Sequence, residues 1–183
     1  MNQQFIKTIS EMIFIERQGL FSKSDAVIYH PGHFPELNEQ IAELYQVEGF
    51  KQLLIPNIYN NFLQENEYEY HKPLLMDQGI PEECIRPIKG EFKDGCDVVL
   101  GAIRQVDPTM NHVLLAGKAF FCRRFLILAT IGGTDKTFDV LPLIDDRGID
   151  REHWHTTEKG KARVFNEIKI INNILNGQAT ECN

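Results

Sequence analysis

Short apolar runs alternate with amphipathic stripes along almost the whole chain, and this alternation limits the fold more than any other feature. Asp25-Ala-Val-Ile-Tyr-His30 is apolar, continuous and bounded by Ser24 and Pro31, too short for a helix and suited to a strand covered on both faces. Leu37, Ile41, Leu44 and Tyr45 then follow at helical spacing up to Gly49, and Gln52-Leu-Leu-Ile-Pro56 is a second buried strand. Glu65 to Gln78 is helical in pattern with Pro73 expected to break or kink it, and Cys84-Ile-Arg-Pro-Ile88 is a weaker strand whose proline points to a sheet edge. Asp94 can cap a helix carrying Val98, Val99, Ala102, Ile103 and Val106. His112-Val-Leu-Leu-Ala116 is the fourth strand, Lys118 to Ile131 a helix ended by Gly132-Gly133, and Phe138-Asp-Val-Leu-Pro142 the fifth strand. A polar loop from Asp145 to Thr157 leads into a last helix over Lys161 to Leu175, closed by Gly177.

Strand and helix alternating this strictly imply parallel strands joined by right-handed crossovers. The expected fold is therefore α/β, a three-layer doubly wound Rossmann-like fold with a mainly parallel sheet of about five strands. Gly19, Gly49 and Gly79 fall 30 residues apart, about one strand plus one helix, without any repeat of the residues between them. Phe5 to Arg17 reads as an N-terminal packing helix. The expected organisation is residues 1–22 as that helix, 23–177 as the Rossmann-like domain and 178–183 as a short tail.

Composition narrows the partners. The chain of 183 residues is 43% hydrophobic and 25% charged, so a folded core is expected over most of its length. Its net charge of -7 repels phosphate backbones, which argues against nucleic acid. Cys84, Cys96, Cys122 and Cys182 lie far apart without a C-x-x-C pair and read as reduced thiols. The first residues have no basic region and their apolar run is broken by Lys7, Ser10 and Glu11, so no membrane insertion and a cytoplasmic location are expected.

In doubly wound sheets ligands bind beyond the carboxyl ends of the strands, so the loops after the first, second and fourth strands carry the candidate chemistry. The first, His30-Pro-Gly-His33, offers two imidazoles that titrate near neutral pH and a glycine, Gly32, for close approach of backbone. Pro31 and Gly32 deny His30 and His33 helical geometry and no third ligand is evident from spacing, which argues against a metal. With only one glycine the loop is not G-x-G-x-x-G, and a nicotinamide dehydrogenase is disfavoured. After the second strand Asn57, Asn60 and Asn61 suit turns, and Glu65, Glu67 and Glu69 suit a solvated helix start. After the fourth, Ala116-Gly-Lys-Ala-Phe-Phe-Cys-Arg-Arg124 places Gly117, Lys118, Arg123 and Arg124 where the helix dipole disfavours cations. A bound anion clasped by Lys118 with Arg123 or Arg124 would account for them, as would pairing with surplus carboxylates. Trp154, between His153 and His155, suits either a pocket wall or core packing.

Four pieces stand in a fixed order: Asp25-Ala-Val-Ile with Gly32, Ala42-Glu-Leu-Tyr45 before a glycine, an acidic helix leading to Gly79-Ile-Pro81, and Leu114-Leu-Ala-Gly-Lys before Arg124. In that order and spacing the chain resembles, from about Asp25 to Ala129, the YdcF-like family, the domain shared with the SanA and ElyC envelope proteins. The resemblance implies a Rossmann-like sheet with a polar pocket at the strand ends and a small, nucleotide-like ligand, S-adenosylmethionine among the candidates. It implies no defined reaction. It puts Gly32 at the glycine of the first loop, Glu67 nearest the acidic residue ahead of the G-[IV]-P turn, and Arg124 at the arginine after the fourth strand. The chain departs from the family at Pro31, at Pro56-Asn57-Ile58, in the third loop around Asp97, and at Phe121, where the family has a histidine.

Two functional expectations follow. In one, the domain binds a small anionic or nucleotide-like ligand through Gly32, Asn57, Glu67, Gly117, Lys118 and Arg124, with His30 or His33 as a general base for group transfer or hydrolysis and Asp97 to orient it. In the other, it is a non-catalytic regulatory or interaction protein that keeps the fold but has lost the pocket.

Overall fold

The computed structural model describes residues 1–132 and 135–177; the expected tail, 178–183, and Gly133 lie outside the described residues. The elements in chain order are α1 (Gln3–Ile13), β1 (Ala26–His30), α2 (Leu37–Val47), β2 (Gln52–Pro56), β3 (Tyr59–Asn60), β4 (Glu65–Asn66), α3 (Glu67–Asp77), β5 (Ile85–Ile88), α4 (Gly95–Gln105), β6 (His112–Lys118), α5 (Cys122–Ile131), β7 (Thr137–Leu143) and α6 (Glu158–Leu175).

Five strands form one parallel sheet in the order β5-β2-β1-β6-β7, as expected for a doubly wound fold. Successive side chains of a strand face opposite layers, and the core divides accordingly. Ala26 and Ile28 of β1 join Val113 and Leu115 of β6 in a layer with α1, α4, α5 and α6. Val27 and Tyr29 join Leu114 and Ala116 on the other face, under α2 and α3. From β1 the chain winds outward to β2 and β5, then returns to the far side of β1 as β6. The reversal lies between β1 and β6.

The proline-bearing β5 is an edge strand, as its sequence suggests. Pro73, by contrast, does not interrupt α3. Pro73 and Glu69 both lie on the exposed side, where water can take the carbonyl that the missing N–H leaves. Asp94 caps α4, accepting from the backbone N–H groups of Cys96 and Asp97 at 2.8 and 3.0 Å. A small hairpin, β3 with β4, was not legible in the sequence because each strand has two residues.

Cys84 and Cys122 are buried free thiols, whereas Cys96 is disulfide-bonded. The expectation of four reduced thiols is corrected to that extent, and it no longer argues for a cytoplasmic location. Among the described residues no helix is long and apolar enough to cross a membrane.

Trp154 is a packing residue: it is fully buried, and its indole N–H donates to Ser10 Oγ at 2.8 Å, tying the loop after β7 to α1. Gly160, in the first turn of α6, passes so close that a Cβ there would lie 2.2 Å from the Trp154 carbonyl oxygen. Helix propensity alone makes Gly to Ala favourable by about 1 kcal/mol. Here the backbone clash reverses the sign, so Gly160→Ala is expected to destabilise the protein by about 1–3 kcal/mol in urea denaturation; a gain in stability would contradict this packing.

Candidate functional site

A cavity of about 240 Å³ opens at the carboxyl ends of β1 and β6, the point where the winding reverses. β1 brings His30, the loop after it His33 and Phe34, and β6 ends on Lys118. Arg124 enters from α5, Arg147 from the loop after β7, and Arg163 and Glu167 from α6. Four cations thus share one cavity in a protein of net charge -7.

Their partners differ. Arg124 is buried and paired with buried Glu167 at 2.9 Å from Nε to Oε2, while Nη2 donates to Oε1 at 3.0 Å. Arg147 forks onto Asp145, with Nε donating to Oδ1 and Oδ2 at 3.0 and 3.1 Å and Nη2 also donating to Oδ2. Its guanidinium lies 4.2 Å from the Phe34 ring centre, a cation–π contact. Lys118 and Arg163 have no carboxylate within ion-pair distance among the described residues. The Lys118 ammonium sits 5.0 Å from the Phe34 centroid, on the positive-φ turn at Gly32, where a Cβ would come within 2.8 Å of Nζ. The φ of 63° favours glycine there, and a Cβ would in addition displace the Lys118 ammonium.

Electrostatics follow from this crowding. Burial, opposed by Glu67 and reinforced by Arg147, lowers Lys118 to about 8. Burial together with Lys118 and Arg124 drives His30 down to about 3, and burial, Lys118 and Arg147 lower His33. The expectation of a histidine base tuned near neutral pH is therefore corrected for His30. An imidazole held that far below neutrality is neutral at pH 7 and too weak a base to drive proton abstraction. Its ring instead packs 5.2 Å from Phe121, and His33 is stacked between Phe34 and the exposed Phe62.

The remaining expected residues divide. Glu67 is buried rather than solvated: Oε1 accepts from Asn60 Nδ2 at 2.8 Å, Oε2 has no partner, and burial raises its carboxyl. It lies behind the cavity, coupled to Lys118 by charge. Gly117 packs against Phe121 and gives its carbonyl to Cys122 Sγ. Asn57 has a buried side-chain oxygen without a partner but does not line the cavity. Asp97 is elsewhere, in a separate groove with Lys89 and Phe92, accepting from the Lys93 backbone N–H, so it cannot orient either histidine. Lys118 is the last residue of β6 and not the first of a helix, because α5 begins only at Cys122. Arg123 points the other way and donates to the Glu11 carbonyl. The expected clasp at the helix start thus reduces to Lys118 and Arg124.

Arg147, Arg163, Asp145 and Glu167 were missed. Arg147 and Arg163 resemble any solvated cation in the sequence. Glu167 did carry a signal, since with Val164, Ile171 and Ile174 it falls on the buried stripe of α6. His71 did too, on the Glu67–His71–Leu75 stripe of α3. Its Nε2 donates to the Gly32 carbonyl at 2.8 Å and Nδ1 faces the Asn38 amide at 3.0 Å, so His71 holds the loop that supports Lys118. Burial lowers it to about 4.

Comparison with family models, curated proteins and solved structures finds no match.

Two outcomes are expected. Arg124→Ala should cost about 3–5 kcal/mol, because it strands a buried carboxylate, and the double change Arg124→Met with Glu167→Leu should recover most of that loss in denaturation experiments. His30 and His71 have folded pKa values below the unfolded value of about 6.5. The unfolded chain therefore binds more protons in this window, and stability should fall as pH drops from about 6.5 towards 4. NMR titration should find both rings neutral at pH 5.5, and a ring that titrates near 6.5 would contradict this account.

Proposed function

We propose that this protein binds a small anionic metabolite, one bearing a phosphate or carboxylate, in the cavity between β1 and β6. The observation that carries the reading is the unequal pairing of its four cations. Arg124 and Arg147 are neutralised by Glu167 and Asp145, whereas among the described residues Lys118 has no carboxylate within ion-pair distance, Glu67 and Asp145 acting on it only from further away, and Arg163 stands unpaired at the exposed rim. Lys118, desolvated and near Arg147 and Arg163, is held below its ordinary value, and a bound anion would compensate that cost. A planar guanidinium beside an ammonium suits an oxyanion, which can accept from both.

Size and charge narrow the class. The enclosed part of the cavity, about 240 Å³, suits the anionic end of a small metabolite. Membership of the YdcF-like family belongs to the same proposal, supported by Lys118 and Arg124 lining one strand-end crevice, with Gly32 against Lys118 and Glu67 acting on it by charge from behind. S-adenosylmethionine, which the resemblance brings in, fits less well, since its sulfonium would sit among cations. Turnover is not part of the reading, because His30 is held neutral and Asp97 lies apart.

Inorganic phosphate and pyrophosphate should raise the thermal unfolding temperature of the wild type, as any ligand of the native state does. Lys118→Ala combined with Arg163→Ala should weaken that effect at least about tenfold in apparent affinity. No stabilisation of the wild type by any phosphate, carboxylate or S-adenosylmethionine would sink the proposal. An anion also raises the ammonium's pKa, so the complex holds more protons than the free protein near pH 8. Calorimetry at pH 8 in buffers of different ionisation enthalpy should therefore show net proton uptake on phosphate binding, absent in Lys118→Ala.

A further inference from the structure

We propose that Lys118 is a nucleophilic amine that forms an imine with a carbonyl compound carrying a phosphate or carboxylate, the anionic group being held by the neighbouring guanidiniums. The proposal rests on the anion-binding reading above and names the substrate class of that site. Four features of the cavity support it. Lys118 is the only primary amine among the described residues that line it. Among the described residues no carboxylate lies within ion-pair distance of it, Glu67 and Asp145 acting only from further away. Arg147 and Arg163 line the same cavity and lower the pKa of its ammonium, and cationic neighbours are a recognised way to activate a lysine. Phe34 covers one side of Nζ and Gly32 brings backbone close on another, so the amine is held in place at the end of a central strand.

The protonation state is consistent. An ordinary lysine at pH 7.5 is about 0.1% neutral, whereas one lowered to about 8 offers a substantial neutral fraction. In the step itself the Nζ lone pair attacks the carbonyl carbon, forming C–N, and the carbonyl π pair moves to oxygen, which takes a proton from solvent. The nitrogen loses a proton, the hydroxyl is protonated and leaves as water as the nitrogen lone pair closes the C=N bond, and the resulting iminium gives up its remaining N–H proton to solvent. Amine and carbonyl give imine and one water, with no change of oxidation state. Arg147 and Arg163 line the cavity where the substrate's anionic end would be held, and each is unable to act as a nucleophile itself because guanidinium stays protonated.

Dihydroxyacetone phosphate and dihydroxyacetone provide a matched pair of probes, alike in the carbonyl and different in charge. The full chain would be treated with each in the presence of cyanoborohydride, which reduces an imine to a stable secondary amine, and the adduct located by peptide mass mapping. The expected result is a single adduct on Lys118 with the phosphorylated probe. It should form at least about 100-fold faster than at exposed lysines, in line with the larger neutral fraction, and faster than with dihydroxyacetone. Inorganic phosphate should suppress it by competition, and Lys118→Arg should abolish it. Because the adduct is mapped on the wild type, the test does not depend on the variant folding. Stabilisation by phosphate without a Lys118 adduct, or adducts spread evenly over surface lysines, would overturn the imine while leaving the anion site standing. Absence of phosphate stabilisation together with absence of phosphate protection would overturn both.

Discussion

A parallel sheet buried on both faces cannot close on itself through short turns. Each strand must return through a helix, and the helices must cover whichever face the crossover passes. Here β1 is the pivot. Two crossovers carry α2 and α3 over one face towards β5, and two more carry α4 and α5 over the other towards β7. Where these windings part, no connection spans the carboxyl ends of β1 and β6, and a crevice is left. The cavity between them is a consequence of that topology, so its position owes nothing to the particular residues lining it.

What the lining adds is charge that the fold itself does not require. Stability would favour an apolar filling, since buried ion pairs recover their desolvation cost only in good geometry. The structure instead places four basic groups around one small volume and neutralises two of them, with Glu167 and Asp145 each dedicated to one arginine. Arg124 and Glu167 also join α5 to α6, which makes the pair a wall of the cavity as much as a source of charge. Below, His71 anchors the Gly32 carbonyl, and the glycine in turn leaves space for the Lys118 ammonium. A chain of packed polar contacts therefore runs from α3 through the first loop to the end of β6. Lys118 thereby sits against supported backbone at the end of a central strand.

The same features explain which residues were legible. Strands such as Gln52–Pro56 and helices such as α4, with its Asp94 cap, announce themselves through local periodicity and capping chemistry. His30, His33, Lys118 and Arg124 could be placed near the strand ends because a strand's end is visible wherever its apolar run stops. Arg147 and Arg163 could not, since a loop arginine and a helical arginine look alike whether they face solvent or a crevice. Asp97 misled for the converse reason: it follows a sheet strand, but that strand is β5 at the edge, several positions from the reversal.

The sequence by itself determined the class of fold, the five strands of the main sheet and the loops in which chemistry could lie, because hydrophobic period and turn residues act over a few neighbouring positions. Only the tertiary structure decided which charges meet, which of them are neutralised, and that His30 is held neutral while Lys118 is not fully committed to its charged form. Charge compensation and desolvation depend on distances between residues far apart in the chain, such as Arg124 and Glu167, and no local pattern encodes those distances.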